Sequence, residues 1–153
     1  MNYTYDDLLT IAKEQVALEE KYILGIRQLA VNSQQSAIGV SHSPLTSHLS
    51  PLFIDTNMYV MKVWCEFVFG KCHQFILDQI TERKYDLYLL CNIDLPWIKD
   101  ELREYPELEP RQRLYQIYKD IMTNQSVRWV EISGNYEERL QKAIMAVDAL
   151  LKK

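Results

Sequence analysis

Pro51-Leu-Phe-Ile-Asp-Thr-Asn57 is a short apolar run that ends in an aspartate, and an apolar helical pattern follows it almost at once. Leu52–Ile54 predicts a buried strand, and residues 57–69 are apolar on nearly every side, which indicates a helix buried on more than one face. Nucleotide-handling α/β proteins bind their ligands at the carboxyl ends of such strands, where Asp55 could hold Mg²⁺ or a substrate hydroxyl. The alternative is that Asp55 merely caps the following helix.

Length and composition are those of one globular domain. The 153 residues include 48% hydrophobic and 25% charged side chains with a net charge of −4, so no basic footprint argues for nucleic acid binding. No apolar run approaches the ~20 residues that span a bilayer, and the polar, acidic start is unlike a signal peptide. The three cysteines match neither a disulfide framework nor a zinc site. We therefore expect a cytoplasmic protein that binds neither nucleic acid nor membrane.

Helical patterns dominate the first half of the chain. An amphipathic helix begins near Thr4 and its pattern fades near Ala30. The Ser-rich residues 31–50 have no usable period, so they are predicted to form a mobile loop. After the central stretch, Gly70 is well placed to end the apolar helix, and a second helix covers roughly 72–83.

Strands and helices alternate in the second half. The predicted elements are a strand at Tyr85–Cys91, a short helical segment from Ile98 to Tyr105, a loop with Pro106 and Pro110, a helix at 111–124, a strand at Arg128–Ile132, a turn at Ser133-Gly134-Asn135 and a last helix from Tyr136. This alternation predicts an α/β fold with a parallel sheet.

Several segments, in order along the chain, resemble one protein family. They are Phe53-Ile-Asp-Thr-Asn57 followed by Lys62-Val-Trp64, Glu66 and Phe69-Gly70; Tyr85-Asp-Leu-Tyr-Leu-Leu90; Asp94-x-Pro96-Trp97-x-x-Asp100-x-x-Arg103; and Val130-x-Ile-Ser-Gly134-x-Tyr136-x-x-Arg139. They are similar to segments of the NadR-type ribosylnicotinamide kinases and related P-loop ATPases of the AAA type. The resemblance covers almost the whole chain except residues 31–50.

The resemblance implies a fold and a reaction. The fold would be a truncated three-layer P-loop kinase-like α/β fold, with about three parallel strands flanked by helices in one partial domain over residues 1–153. The reaction would be ATP-dependent phosphorylation of the 5′-hydroxyl of nicotinamide riboside, in NAD salvage, with ATP and Mg²⁺ bound. The sequence lacks the Gly-x-x-x-x-Gly-Lys-[Ser/Thr] loop that holds ATP phosphates in that family. We therefore expect little or no kinase turnover from this polypeptide alone.

The resemblance also implies roles for individual residues. Asp55 would orient Mg²⁺ or the acceptor hydroxyl, and Arg103 would be the lid arginine that meets the transferring phosphate. Asn57 stands where the family has a second Asp, which weakens metal binding because an amide is a poorer ligand for a hard cation. The remaining implied contacts are with the nucleoside (Asn57, Trp97, Asp100), with phosphate in the lid (Arg111, Arg113) and with adenine (Ser133, Gly134).

Each role has a structural alternative. The arginines would pair with neighbouring glutamates at the surface, Trp97 would be a core anchor, and Ser133-Gly134 would be a plain strand-to-helix turn. For the whole chain, the alternative to a kinase-like ATPase is a non-catalytic regulatory or interaction module that keeps the scaffold. A start codon annotated too far downstream is a third hypothesis. Loss of the family's first strand would also leave open sheet edges, through which the chain could self-associate.

Overall fold

A computed structural model describes residues 3–36, 51–98 and 105–152, with the side chains of 29–36 excepted. The chain divides into two compact units, Met1–Glu82 and Arg83–Lys153, and each is described by itself. No helix in the described ranges has both the length and the apolar character that crossing a bilayer requires.

The first unit consists of three helices: α1 (Tyr5–Ser36), α2 (Met58–Phe69) and α3 (Gln74–Glu82). The predicted start of α1 near Thr4 is confirmed, because the Thr4 hydroxyl accepts the N–H of Asp7 while the Asp7 carboxylate accepts the N–H of Thr4. The backbone N–H and the hydroxyl of Thr4 both donate to the Asp7 carboxylate, and these two bonds lower the pKa of Asp7. The helix continues through residues 31–36, which we predicted to belong to a loop. The rest of that predicted loop, 37–50, lies outside the described residues.

The core of the first unit lies between the three helices. On α1, buried side chains recur every four residues at Leu8, Ala12 and Val16, and they pack with Met58, Met61, Cys65 and Ile76. Each large apolar side chain buried in this way contributes about 1.5–3 kcal/mol. The predicted apolar character of α2 is confirmed, and so is its end at Gly70, which adopts the left-handed conformation with φ 67°.

Aromatic side chains connect the beginning of α1 to α2 and to the segment between α2 and α3. The rings of Tyr3 and Trp64 meet edge to face, with centroids 5.2 Å apart. The imidazole of His73 stacks on the ring of Tyr5 at 3.6 Å, and its Nε2 lies 2.9 Å from the Tyr5 carbonyl oxygen. Since a carbonyl can only accept, Nε2 carries the proton in this contact.

The strand predicted at Leu52–Ile54 is wrong. These residues have no regular structure, and the side chain of Phe53 is 67% exposed. A strand needs a neighbour to pair its backbone N–H and C=O groups. The sheet pairing found among the described residues involves the second unit alone, so Leu52–Ile54 has no pairing partner there.

The second unit is a βαβα arrangement. Its elements are β1 (Tyr88–Cys91), α4 (Leu108–Asn124), β2 (Trp129–Ile132) and α5 (Tyr136–Leu151). The two strands are parallel, with Tyr88 opposite Trp129 and Cys91 opposite Ile132. The described residues therefore confirm an α/β unit with a parallel sheet. They contain two strands, where we predicted about three.

Several predicted boundaries shift, and the strand predicted from Tyr85 begins at Tyr88. Helix α4 begins at Leu108, so Pro110 belongs to its first turn and not to the preceding loop. Proline is tolerated there because the first N–H groups of a helix have no intrahelical partner. The helical segment predicted from Ile98 to Tyr105 falls mostly on 99–104, outside the described residues.

Candidate functional site

The predicted site residues are divided between the two units. Asp55 and Asn57 belong to the first unit. Five belong to the second: Trp97, Arg111, Arg113, Ser133 and Gly134. Asp100 and Arg103 lie outside the described residues, so their predicted roles remain predictions.

Asp55 and Asn57 stand at the entrance to α2. Asp55 lies exposed in a bend, with no hydrogen bond or ion pair among the described residues. Asn57 is the N-cap of α2, and its side-chain oxygen accepts the N–H of Val60 at 3.1 Å. The capping role considered for Asp55 thus belongs to Asn57, which leaves the Asp55 carboxylate available to a ligand.

The second unit contains a polar clamp formed by Asp94. One carboxylate oxygen of Asp94 accepts the N–H of Gly134 at 2.6 Å, and the other pairs with Nη1 of Arg139 at 2.6 Å. Asp94 follows β1, whereas Gly134 follows β2. Because the strands are parallel, their carboxyl ends lie at the same edge of the sheet, which is where α/β proteins bind ligands. The clamp therefore joins the two segments that leave this edge.

Asn92 extends the clamp to the sheet and to α4. Its backbone oxygen accepts Nη2 of Arg139 at 3.2 Å, while its backbone N–H continues the ladder to the carbonyl of Ile132 at 2.8 Å. Its side-chain N–H₂ donates to Oε1 of Glu131 at 2.6 Å and lies 3.3 Å from the hydroxyl of Tyr115. One residue at the end of β1 thus contacts β2, α4 and α5.

Glu131 and Lys119 complete the network. Nζ of Lys119 donates to Oε2 of Glu131 at 2.9 Å. The bond from Lys119, followed by those from Asn92 and Tyr115, lowers the pKa of Glu131, and the same carboxylate raises the pKa of Lys119. Burial, together with the nearby Glu131, raises the pKa of Tyr115. Both oxygens of Glu131 are occupied, so this carboxylate ties α4 to the sheet.

The predicted turn at Ser133-Gly134-Asn135 is confirmed, and its polar groups already have partners. Nζ of Lys142 donates to the backbone oxygen and to the hydroxyl of Ser133, each at 2.8 Å. Asn135 and Glu138 form a capping box that begins α5. Gly134 has φ 102°, and a Cβ there would lie 3.0 Å from the Cβ of Glu138. Glycine is required at 134 by both conformation and space.

The other predicted site residues in the second unit are Trp97, Arg111 and Arg113. Trp97 is half-buried. Arg111 is half-buried and donates through Nε to the backbone oxygen of Glu107 at 3.4 Å, while Arg113 is exposed. Across the described ranges, no group of three or more His, Cys, Asp or Glu side chains is placed to hold a metal ion. A single carboxylate is nevertheless enough for Mg²⁺ when substrate phosphates and water supply its other ligands.

Sequence reasoning gave no role to Asp94, Asn92 or Lys142. Asp94 and Arg139 both occur in the motifs that carry the resemblance, but their separation of 45 positions conceals their contact. The available signal was an aspartate just beyond one predicted strand and an arginine just beyond the glycine turn that follows the next.

Comparison with known proteins gives a family and two relatives. A family model described as an AAA domain matches residues 8–139. The trifunctional NAD biosynthesis/regulator protein NadR of Salmonella typhimurium and that of Escherichia coli are each 23% identical over 100 residues, which is 65% of this chain and 24% of the relative. The chain thus spans about a quarter of the length of these curated relatives. No solved structure matches it.

Proposed function

The chain belongs to the AAA domain family, and on that premise we propose that it is a nucleoside-kinase-like domain of the NadR type. Its substrates are ATP and a nucleoside, and its reaction is transfer of the γ-phosphoryl group to the 5′-hydroxyl of nicotinamide riboside. The compartment we propose is the cytoplasm. The domain that we propose extends over residues 1–153.

One observation carries the proposal. The Asp94 carboxylate joins the carboxyl end of β1 to the glycine turn after β2, through Gly134 and Arg139. Polar side chains at the carboxyl ends of neighbouring parallel strands, next to a glycine turn, are typical of nucleotide sites in α/β proteins. The family match supports the same interpretation, because it extends over both strands and this turn.

The proposed reaction assigns a task to each part of the chain. The bond between the γ-phosphorus and its bridging oxygen breaks, a bond to the 5′-oxygen forms, and the hydroxyl proton is released. Asp55 orients the acceptor hydroxyl and takes this proton. The guanidinium groups of Arg111 and Arg113, together with Arg103, neutralise charge on the phosphoryl oxygens.

The nucleosides are held by other side chains. Trp97, Asn57 and Asp100 contact the acceptor nucleoside, and the Ser133-Gly134 turn contacts the adenine. Mg²⁺, bound with ATP, would neutralise charge on the phosphates. The exposed Asp55 carboxylate fits it as a single protein ligand, whereas the Asn57 oxygen is already used by Val60.

The phosphate-binding element of the family is absent from these 153 residues, which contain no Gly-x-x-x-x-Gly-Lys-[Ser/Thr] segment. Phosphoryl transfer depends on positioning and charge stabilisation by such an element. We therefore expect weak nucleotide binding through the base and negligible turnover by this polypeptide alone. The same absence favours the second candidate, a non-catalytic regulatory or interaction module that keeps the kinase scaffold.

Titration of ¹⁵N-labelled protein with ATP and Mg²⁺ tests the proposal. We expect millimolar binding that shifts the amide signals of Ser133 to Tyr136, and ribose 5-phosphate serves as the control ligand without a base. Unchanged spectra at millimolar ATP would contradict nucleotide binding and leave the non-catalytic module. An assay with radiolabelled ATP and nicotinamide riboside, run in parallel, measures turnover.

A further inference from the structure

We propose that Asp94 is a positioning residue for the nucleoside base, because it sets the orientation of the Ser133-Gly134 peptide that the base meets. This inference rests on the proposed function, since it concerns the same turn. Asp94 itself need not touch the ligand. Its role is exerted through the N–H of Gly134.

The geometry of the clamp makes Asp94 the acceptor for two donors. Its oxygens bind the Gly134 N–H and the Arg139 guanidinium, each at 2.6 Å. Bonds to a carboxylate are shorter and about twice as strong as bonds between neutral groups. Gly134 has φ 102°, and a glycine has access to more backbone conformations than any other residue. The hydrogen bond from the Gly134 N–H to Asp94 therefore restricts the backbone conformation of Gly134.

Arg139 gives the clamp its charge balance. Its side chain is 13% exposed, and its second nitrogen donates to the backbone oxygen of Asn92. A guanidinium this poorly solvated needs a nearby anion. Asp94 supplies that anion, so Arg139 in turn holds the Asp94 carboxylate in place for the Gly134 N–H.

Other contacts hold the rest of the unit without Asp94. The strands are joined by their own parallel ladder, and α5 begins with the capping box of Asn135 and Glu138. Lys142 holds Ser133 independently of the clamp. Loss of the Asp94 carboxylate is thus expected to loosen the Gly134 peptide more than it unfolds the unit.

The test compares variants of the full chain by ¹⁵N NMR with adenosine as the probe. Asp94→Ala removes both bonds of the clamp. Arg139→Gln removes the ion pair but leaves an acceptor for the Gly134 N–H. Asp86→Ala is the matched control, because Asp86 is an exposed aspartate just before β1 in the same unit.

In the wild type and in Asp86→Ala we expect a downfield Gly134 amide proton and millimolar adenosine binding. In Asp94→Ala we expect that proton to move upfield, its exchange with solvent to rise about tenfold, and adenosine binding to weaken at least fivefold, as the loss of one charge-assisted bond implies. Arg139→Gln should lower the melting temperature. It should nevertheless keep the Gly134 amide proton near its wild-type chemical shift and retain most of the adenosine affinity.

The possible failures are distinguishable. If wild type and Asp94→Ala bind adenosine equally, the positioning role is wrong and the proposed function stands. If adenosine does not perturb the wild-type spectrum, the proposed function is wrong, and a role for Asp94 in base positioning is wrong with it. If Arg139→Gln loses adenosine binding as completely as Asp94→Ala while the Gly134 shift persists, the action through the Gly134 N–H is refuted.

Discussion

The side-chain oxygen of Asn57 accepts the backbone N–H of Val60 at 3.1 Å. Asn57 lies two residues after Asp55, the aspartate that the sequence pattern singles out. This contact assigns the two polar side chains of the Asp55-Thr56-Asn57 segment to different tasks. Asn57 begins α2, and Asp55 remains exposed. A residue used as a cap contributes to stability, whereas an exposed carboxylate beside it contributes little.

The cap makes a direct prediction about stability. Asn57→Ala should lower the free energy of unfolding by about 1 kcal/mol, since a backbone N–H at the start of α2 loses its acceptor. Asp55→Ala should change it by less than about 0.5 kcal/mol, as surface substitutions usually do. Urea titration followed by circular dichroism measures both. A larger loss in Asp55→Ala than in Asn57→Ala would mean that Asp55 is the cap.

Alanine substitutions at two glycines, Gly134 and Gly25, should change the stability of the protein in opposite directions. Gly134→Ala should destabilise the protein by about 1–3 kcal/mol, because an alanine at φ 102° is strained and its Cβ meets Glu138. Gly25→Ala should stabilise it by about 0.5–1 kcal/mol, because Gly25 lies within α1 and a Cβ there meets nothing within 4 Å. Thermal unfolding compares the two variants, and a neutral Gly134→Ala would refute the strained turn.

The ion pair between Lys119 and Glu131 predicts a pH dependence. Its partners lower the pKa of Glu131 in the folded state, so the pair stabilises the protein above the ordinary glutamate pKa, and this contribution is lost as the pH falls through the folded value. At pH 7, Glu131→Gln should cost about 1 kcal/mol, since the pair is partly exposed.

The comparison of wild type and Glu131→Gln is made by urea titration at several pH values. The difference between them should shrink as the pH falls below about 4. Glu137→Gln, an exposed glutamate in the first turn of α5, provides the control. A difference between wild type and Glu131→Gln that stays constant from pH 7 to about pH 3 would contradict an ionised Glu131 as its source.

The three free cysteines predict an order of alkylation. Cys91 is exposed, while burial, followed by the neighbouring Cys65, raises the pKa of Cys72 to about 11. Burial also raises the pKa of Cys65, which is fully buried. Because the thiolate is the reacting form, iodoacetamide at neutral pH should modify Cys91 first, Cys72 slowly and Cys65 last. Peptide mass spectrometry over time measures the order, and early modification of Cys65 would contradict the packing of α2.

Local patterns in the sequence were sufficient for several elements. The apolar helix before Gly70, the glycine turn at 134 and the helix after it all depend on side chains within about four residues of each other. The order of strands and helices likewise predicted a parallel sheet, and in the structure β1 pairs with β2 in parallel. These features follow from spacing and from single residues with strong conformational preferences.

The tertiary structure decided the rest. Leu52–Ile54 is as apolar as a strand, yet strand formation requires a neighbouring backbone, which a sequence pattern does not supply. Asp94 lies 40 positions from Gly134 and 45 positions from Arg139 along the chain. The register of β1 on β2 brings these residues together. The sequence by itself therefore determined the apolar helix before Gly70, the glycine turn and the helix after it. The choice of partner for each carboxylate depended on the sheet, because a hydrogen bond requires two groups within about 3 Å in space and no particular distance along the chain.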